Sequence, residues 1–254
     1  MNTYIEKNRG FITSSKLKEF LRCAYCYKLK YIDELPDPTE GDKDYFLVGQ
    51  AFDDFITLGT VGFNAKYEIV NRRKEGSTKI QITQGMGDKM AALHNEFSAN
   101  KLFVRPTQKF TFTLKGNPMP LRCELDDFDS TAAIIRDVKT TANLKTFDPL
   151  MYIDQMAFYQ YVIEEITTEE TGNGIRCGAQ LEVVDKCDIA HSQRYDFTPS
   201  TLYASRELVL RHIAQLQAAH EMDFFPAPHD PLVMLDCPYY GHEGHGRPTQ
   251  PIVL

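Results

Sequence analysis

Residues 121–141, LRCELDDFDSTAAIIRDVKTT, constrain this chain more than any other stretch. β-Branched and alternating residues lie on either side of a polar break at Ser130-Thr131, which spells two strands joined by a tight reversal. The first strand ends near Asp129, and the second runs from Ala132-Ala133-Ile134-Ile135 into Asp137-Val138-Lys139. A hairpin is the simplest geometry. It brings Asp126 toward Asp137, while the two-residue period of a strand puts Asp137 and Lys139 on one face. Two carboxylates and one ammonium converging in this way suit metal-assisted phosphodiester hydrolysis. Hard carboxylate oxygens hold Mg²⁺, the ion polarises the phosphate and acidifies a water, and the lysine orients that water or offsets developing charge. A D-x-K alone is weak, because charges alternate along many solvated strand faces. Its weight here comes from the apolar run before it and the acid-rich strand at hairpin distance.

The rest of the chain supplies layers for such a hairpin. With 254 residues, 43% of them hydrophobic, it can bury a substantial core as one large domain over 1–254, with a helical N-terminal part at 11–62 and a loop-like tail at 223–254. No apolar run reaches membrane-spanning length and the N-terminus lacks a signal peptide's apolar core, so a cytoplasmic location is expected. Six cysteines without a secretion signal argue for free thiols or a metal site over a disulfide framework. The net charge of −7 does not advertise a polyanion partner; local basic clusters and bound cations set the field in a cleft.

In KLKEFLRCAYCYKLKY, Leu17, Phe20, Leu21 and Ala24 recur at helical spacing, so one amphipathic helix with Ser14 or Ser15 as N-cap is expected. Its lysines and Arg22 could face phosphates, although a solvated face is the simpler reading. Further helices are expected at 45–58, 85–98, 152–165 and 200–222, and strands at 67–70, 79–83, 109–113, 179–184 and 193–197. Asp53 and Asp54 interrupt the apolar pattern of the second helix. Gln155 and Tyr159, four apart, share a helix face.

The order of these motifs resembles the PD-(D/E)XK nuclease superfamily, specifically its RecB-like, phage-type exonuclease branch, which includes Cas4-like proteins. SSKLKEFLRC resembles that branch's first helix, with Cys23 at its cysteine. VGQAFDDFI resembles its G-x-x-x-H segment, with Asp53 at the histidine. CELDDFD resembles its G-x-x-D strand through Asp126, IIRDVKTT its D-x-K-T strand, and Gln155 with Tyr159 its Q-x-x-x-Y helix.

The resemblance implies a restriction-endonuclease-like α/β core, a central mixed sheet flanked by helices. It further implies an Mg²⁺- or Mn²⁺-dependent DNA exonuclease of recombination, repair or phage DNA metabolism. Asp126, Asp137 and Asp53 would hold metal, Lys139 would assist the attacking water, and Gln155 and Tyr159 would contact the strand or steady the site. DNA is the implied partner, and a recombinase or single-strand annealing protein a further one; an oligomer is compatible. A catalytically inactive nucleic-acid-binding or scaffold subunit is the alternative, against which the intact Asp126, Asp137 and Lys139 speak. Three positions depart from the pattern: Asp53 replaces a histidine, Cys123 replaces a glycine, and Glu124 offers a rival acid. The tail retains only Cys237 of the thiolates an iron–sulfur cluster needs, so no cluster is expected. Cys237, His242 and His245 are instead candidate zinc ligands, weighed against a simple loop.

Overall fold

The structure, a computed structural model, describes residues 6–35, 44–72, 76–99, 110–115, 119–187 and 189–226. The candidate zinc ligands Cys237, His242 and His245, the turn Gly116-Asn117-Pro118 and the tail from 227 onward lie outside the described residues. The chain forms two compact units: Met1–Asp42 with Leu114–Arg122 and Glu207–Leu254, and Lys43–Thr113 with Cys123–Arg206.

In the first unit, helices α1 (Ser14–Arg22) and α2 (Ala24–Tyr31) replace the single helix expected there. Cys23 breaks it. With extended backbone (φ −161°, ψ 100°), Cys23 closes α1 by donating its N–H to Glu19 O, and its sulfur accepts from Cys26 N at 3.0 Å to cap α2. The N-cap of α1 is Thr13, whose side chain accepts from Lys16 N. The expected Ser14 or Ser15 misses by one or two residues because all three hydroxyls of Thr13-Ser14-Ser15 are competent caps. Cys23 and Cys26 are joined as a disulfide, which corrects the expectation of free thiols or a metal site for this pair. The extended cap residue folds its sulfur back over the first turn, with Cα atoms 5.2 Å apart, within a disulfide's span. The ring of Tyr27, buried, stacks on Phe225 and its hydroxyl pairs with His220 Nε2 at 2.9 Å.

The second unit carries the sheet. Helix α3 (Asp44–Lys66) runs beyond its expected end and bends at Gly59, whose φ of 65° only glycine adopts readily. Strands β1 (Tyr67–Val70) and β2 (Ile80–Thr83) pair in parallel. Helix α4 (Gln84–Ala99) then packs Met90, Leu93 and Phe97 against Val48, Phe52 and Ile56 of α3. Strand β3 (Phe110–Leu114) pairs with β4 (Leu121–Leu125), which breaks at Asp126 and resumes as β5 (Asp127–Asp129).

The main sheet is β5, β6 (Ile134–Thr141), β7 (Gly178–Asp185) and β8 (Ser192–Phe197) in that order, with antiparallel, parallel and antiparallel neighbours. Helix α5 (Ile153–Thr171) supplies the long crossover that parallel β6 and β7 require, and α6 (Pro199–Met222) follows β8. Strand β7, GAQLEVVD, is buried almost throughout, as befits a strand covered on both faces. Val138 and Val184 pack with the α3 and α4 core on one face. On the other, Gln155 of α5 reaches Asp137. The fold is therefore the mixed sheet flanked by helices that the sequence implies.

The hairpin turn is longer than expected. Asp129 Oδ1 accepts the N–H groups of Thr131 and Ala132, and Ala133 is left-handed at φ 53°, so β6 begins at Ile134 and not at Ala132. Side-chain bonds to the local backbone here outcompete the strand ladder.

Candidate active site

The β5–β6 register pairs Asp127 with Arg136, so Asp126 and Asp137 stand one step further along the same hairpin. Where the strand breaks at Asp126, its Oδ2 accepts the backbone N–H of Val138 at 2.8 Å. That bond holds one carboxylate against the strand that bears the other. Asp137, only 3% exposed, has its Oδ2 2.6 Å from Lys139 Nζ and its Oδ1 3.3 Å from Gln155 Nε2. Gln155 in turn donates to Tyr159 OH at 2.7 Å, the i,i+4 pair acting as one group. The structure thus brings Asp126, Asp137, Lys139, Gln155 and Tyr159 together.

Burial opposes the charge on Lys139, but the carboxylates of Asp137 and Asp126, the hydrogen bond to Asp137 and Tyr152 outweigh it, so the lysine pKa is raised above its ordinary value. Its Nζ lies 5.1 Å from the centre of the Tyr152 ring, a cation–π contact. An ammonium, not an amine, therefore faces the carboxylates. The donor set is hard and all-oxygen. It suits an ion such as Mg²⁺ that takes one or two carboxylates and fills its remaining positions with water and substrate phosphate.

Among the described residues, no three His, Cys, Asp or Glu side chains converge as a ligand cluster, whether around Asp126 and Asp137 or around Asp53. Asp53 is half-buried on α3, and its charge acts with burial and Asp54 to raise the pKa of Tyr67. Its neighbour Asp54 is taken by Lys66 and Tyr67. One turn before Asp53 on the same helix face, Gly49 lies so close to β6 that a Cβ there would sit 2.8 Å from Thr140 Oγ1 and 3.3 Å from Lys186 Nζ. The G-x-x-x-D spacing thus serves helix-to-strand approach at its first position.

Two features escaped the sequence reading. Arg136 Nη1 bonds Asp127 Oδ2 at 2.7 Å and its Nε bonds Gln180 Oε1 at 3.1 Å, fastening β5, β6 and β7 on the face opposite Asp137. The hairpin register contained that signal, since opposing Asp126 to Asp137 opposes Asp127 to Arg136. The second is Glu182 on β7, fully buried and ion-paired to Arg194 at 2.6 Å, whose pKa burial raises. An acid inside an apolar strand run carries no local signal of its partner.

Comparison with known proteins bears on the fold and the family. A crystal structure from Eubacterium rectale, described as "Putative exonuclease", is similar over 90% of each chain with a TM-score of 0.66 at 13% identity, a likeness of fold. No curated protein matches. A sequence profile of the PD-(D/E)XK nuclease superfamily matches residues 12–240, nearly the whole length. On that match, and with a D-x-K strand set in a mixed sheet, the chain belongs to the PD-(D/E)XK nuclease superfamily.

Proposed function

We propose that this protein is an Mg²⁺- or Mn²⁺-dependent deoxyribonuclease of the RecB-like branch that hydrolyses phosphodiester bonds from a DNA end. The observation that carries the reading is the contact of the Lys139 ammonium with Asp137, 2.6 Å, beside Asp126 on the adjoining strand. Asp126 and Asp137 would hold the divalent ion, with Asp53 as a further ligand, directly or through water. The bound ion supplies charge that polarises the phosphate and lowers the pKa of a water.

The chain's own groups then do the positioning. Lys139, kept protonated by its acidic neighbours, orients the attacking water and offsets the negative charge that grows on the phosphate oxygens. Gln155 fixes the Asp137 carboxylate, and Tyr159, tied to Gln155, contacts the strand beside the scissile phosphate. In this reading these groups act at the metal, the water and the strand beside the scissile phosphate, which implies cleavage independent of sequence. The exonuclease description of the Eubacterium rectale fold relative supports action from an end; a role in recombination beside a recombinase or annealing protein belongs to the same proposal. The test is digestion of 5′- and 3′-labelled linear single and double strands beside a covalently closed circle, with Mg²⁺ and with chelator. End-dependent, metal-dependent products are expected; a circle cut as readily as linear DNA overturns the end requirement.

A further inference from the structure

Three rings run outward from the lysine of this site. Phe147 stacks on Tyr152, centroids 5.6 Å apart and 14° between planes, and tilts against Tyr195 at 5.6 Å and 34°. The same Tyr152 ring carries the Lys139 ammonium at 5.1 Å. Phe147 and Tyr152 belong to the two short 3₁₀ turns, Leu144–Thr146 with its C-cap and Pro149–Tyr152, that lead from β6 into α5. Tyr195 belongs to the edge strand β8.

The register puts this run on the active-site face. Asp137 pairs with Leu181, and Leu181 with Tyr195, so Asp137 and Tyr195 project from the same side of the sheet two strand spacings apart, about 10 Å. Rings that serve only a core are sealed: Tyr27 and Phe158 are at most 1% exposed. Phe147, Tyr152 and Tyr195 are all partly open to solvent, and Leu150 and Met151 beside them are more than 60% exposed.

We propose that Phe147 and Tyr195, continuing from Tyr152, form a stacking track for the bases of a single strand of DNA whose phosphate lies at Lys139; this rests on the nuclease reading above. Aromatic rings stack on any base, which matches the sequence-independent cleavage proposed above. In a duplex, both faces of a base are already covered by its neighbours. The track therefore selects an unpaired strand or a frayed end, and it sets a strand preference that the acids and the lysine do not.

The experiment measures binding without metal, by fluorescence anisotropy of a labelled single-stranded oligonucleotide in chelator, so that cleavage does not enter. For the wild-type protein, making the oligonucleotide abasic near its end is expected to weaken binding about five- to hundredfold. Phe147→Ala and Tyr195→Ala are each expected to weaken binding of the intact strand and to narrow the gap between intact and abasic strands, and the double variant to close it. Tyr195→Phe retains wild-type affinity. Equal wild-type affinity for intact and abasic strands overturns the track, and because that comparison needs no variant, misfolding cannot explain it. Digestion of linear DNA by the same preparation separates the two ideas. Cleavage with no abasic effect removes the track alone, whereas an abasic effect without cleavage removes the nuclease reading.

Discussion

Asp127 and Arg136 face each other across β5 and β6, 2.7 Å apart, on the side of the sheet opposite Asp137, and each directly adjoins one of the two candidate metal-holding acids in sequence. The pair is largely buried, with side chains 6% and 20% exposed, and Arg136 also reaches Asp129 and Gln180. Removing the arginine alone leaves a carboxylate in the interior without its charge partner. Arg136→Met is expected to cost about 3 kcal/mol in urea unfolding. The double change Arg136→Met with Asp127→Leu removes both charges and should recover most of it. A single variant as stable as wild type would show that the clamp is not needed.

Lys139 holds Asp137 by charge, and its ammonium also repels a divalent ion. Replacing it separates the two effects. Lys139→Met is expected to lower turnover by about 10²-fold or more, the scale seen when a preorganised electrostatic stabiliser is lost. By calorimetry it should bind Mg²⁺ at least as tightly as wild type. Asp137→Ala should lose both turnover and metal binding. Near-wild-type cleavage by Lys139→Met would remove the lysine from the chemistry.

Gly49 lets α3 approach β6 where any Cβ would meet Thr140 Oγ1 at 2.8 Å. Gly49→Ala is expected to destabilise by about 1–3 kcal/mol through overpacking, and Thr140→Ala in the same chain to recover part of that, a coupling read from a double-mutant cycle. Because Asp53 lies one turn further along this helix face, the misplaced helix should also weaken Mg²⁺ binding. Asp53→Ala should weaken it directly, and Asp53→His should shift preference toward Mn²⁺. Unchanged calorimetry for Asp53→Ala would leave Asp53 a surface acid.

Lys16 is buried, and its Nζ donates to the carbonyls of Asn8 and Phe11 at 2.7 and 3.1 Å. Burial pushes its pKa down to about 8 from 10.5, against the opposing pull of Glu34; nearby His220 is itself held low by burial and by Lys16. The folded chain therefore binds fewer protons than the unfolded chain between these two values, and the contribution of Lys16 to stability rises with pH across that window. It is fully present above about 10.5 and is lost as pH falls through about 8. The stability of wild type relative to Lys16→Met, followed by urea unfolding from pH 7.5 to 10.5, should climb accordingly. A flat difference would show that the bonds to Asn8 and Phe11 offset the burial and leave the pKa at its ordinary value.

The local periods of the chain were enough to place the hairpin, to set Asp137 and Lys139 on one face, and to pair Gln155 with Tyr159. Those relations depend on two-residue and 3.6-residue repeats that any strand or helix imposes on its own residues. The approach of Asp126 to Asp137 followed as well, since a hairpin is local. Elsewhere the outcome depended on competition or on distance. The break at Cys23 came from an extended cap residue that no periodicity marks, and with it came the disulfide to Cys26. The start of β6 moved to Ile134 because the Asp129 side chain claimed the turn. Only the tertiary structure set β7 beside β6, buried Glu182 against Arg194, pressed Gly49 onto Thr140, and aligned Phe147, Tyr152 and Tyr195 on the face that carries Asp137. Most of these join segments more than forty residues apart, Glu182 and Arg194 twelve, and their register is fixed by the packing of whole faces rather than by any preference of the residues themselves.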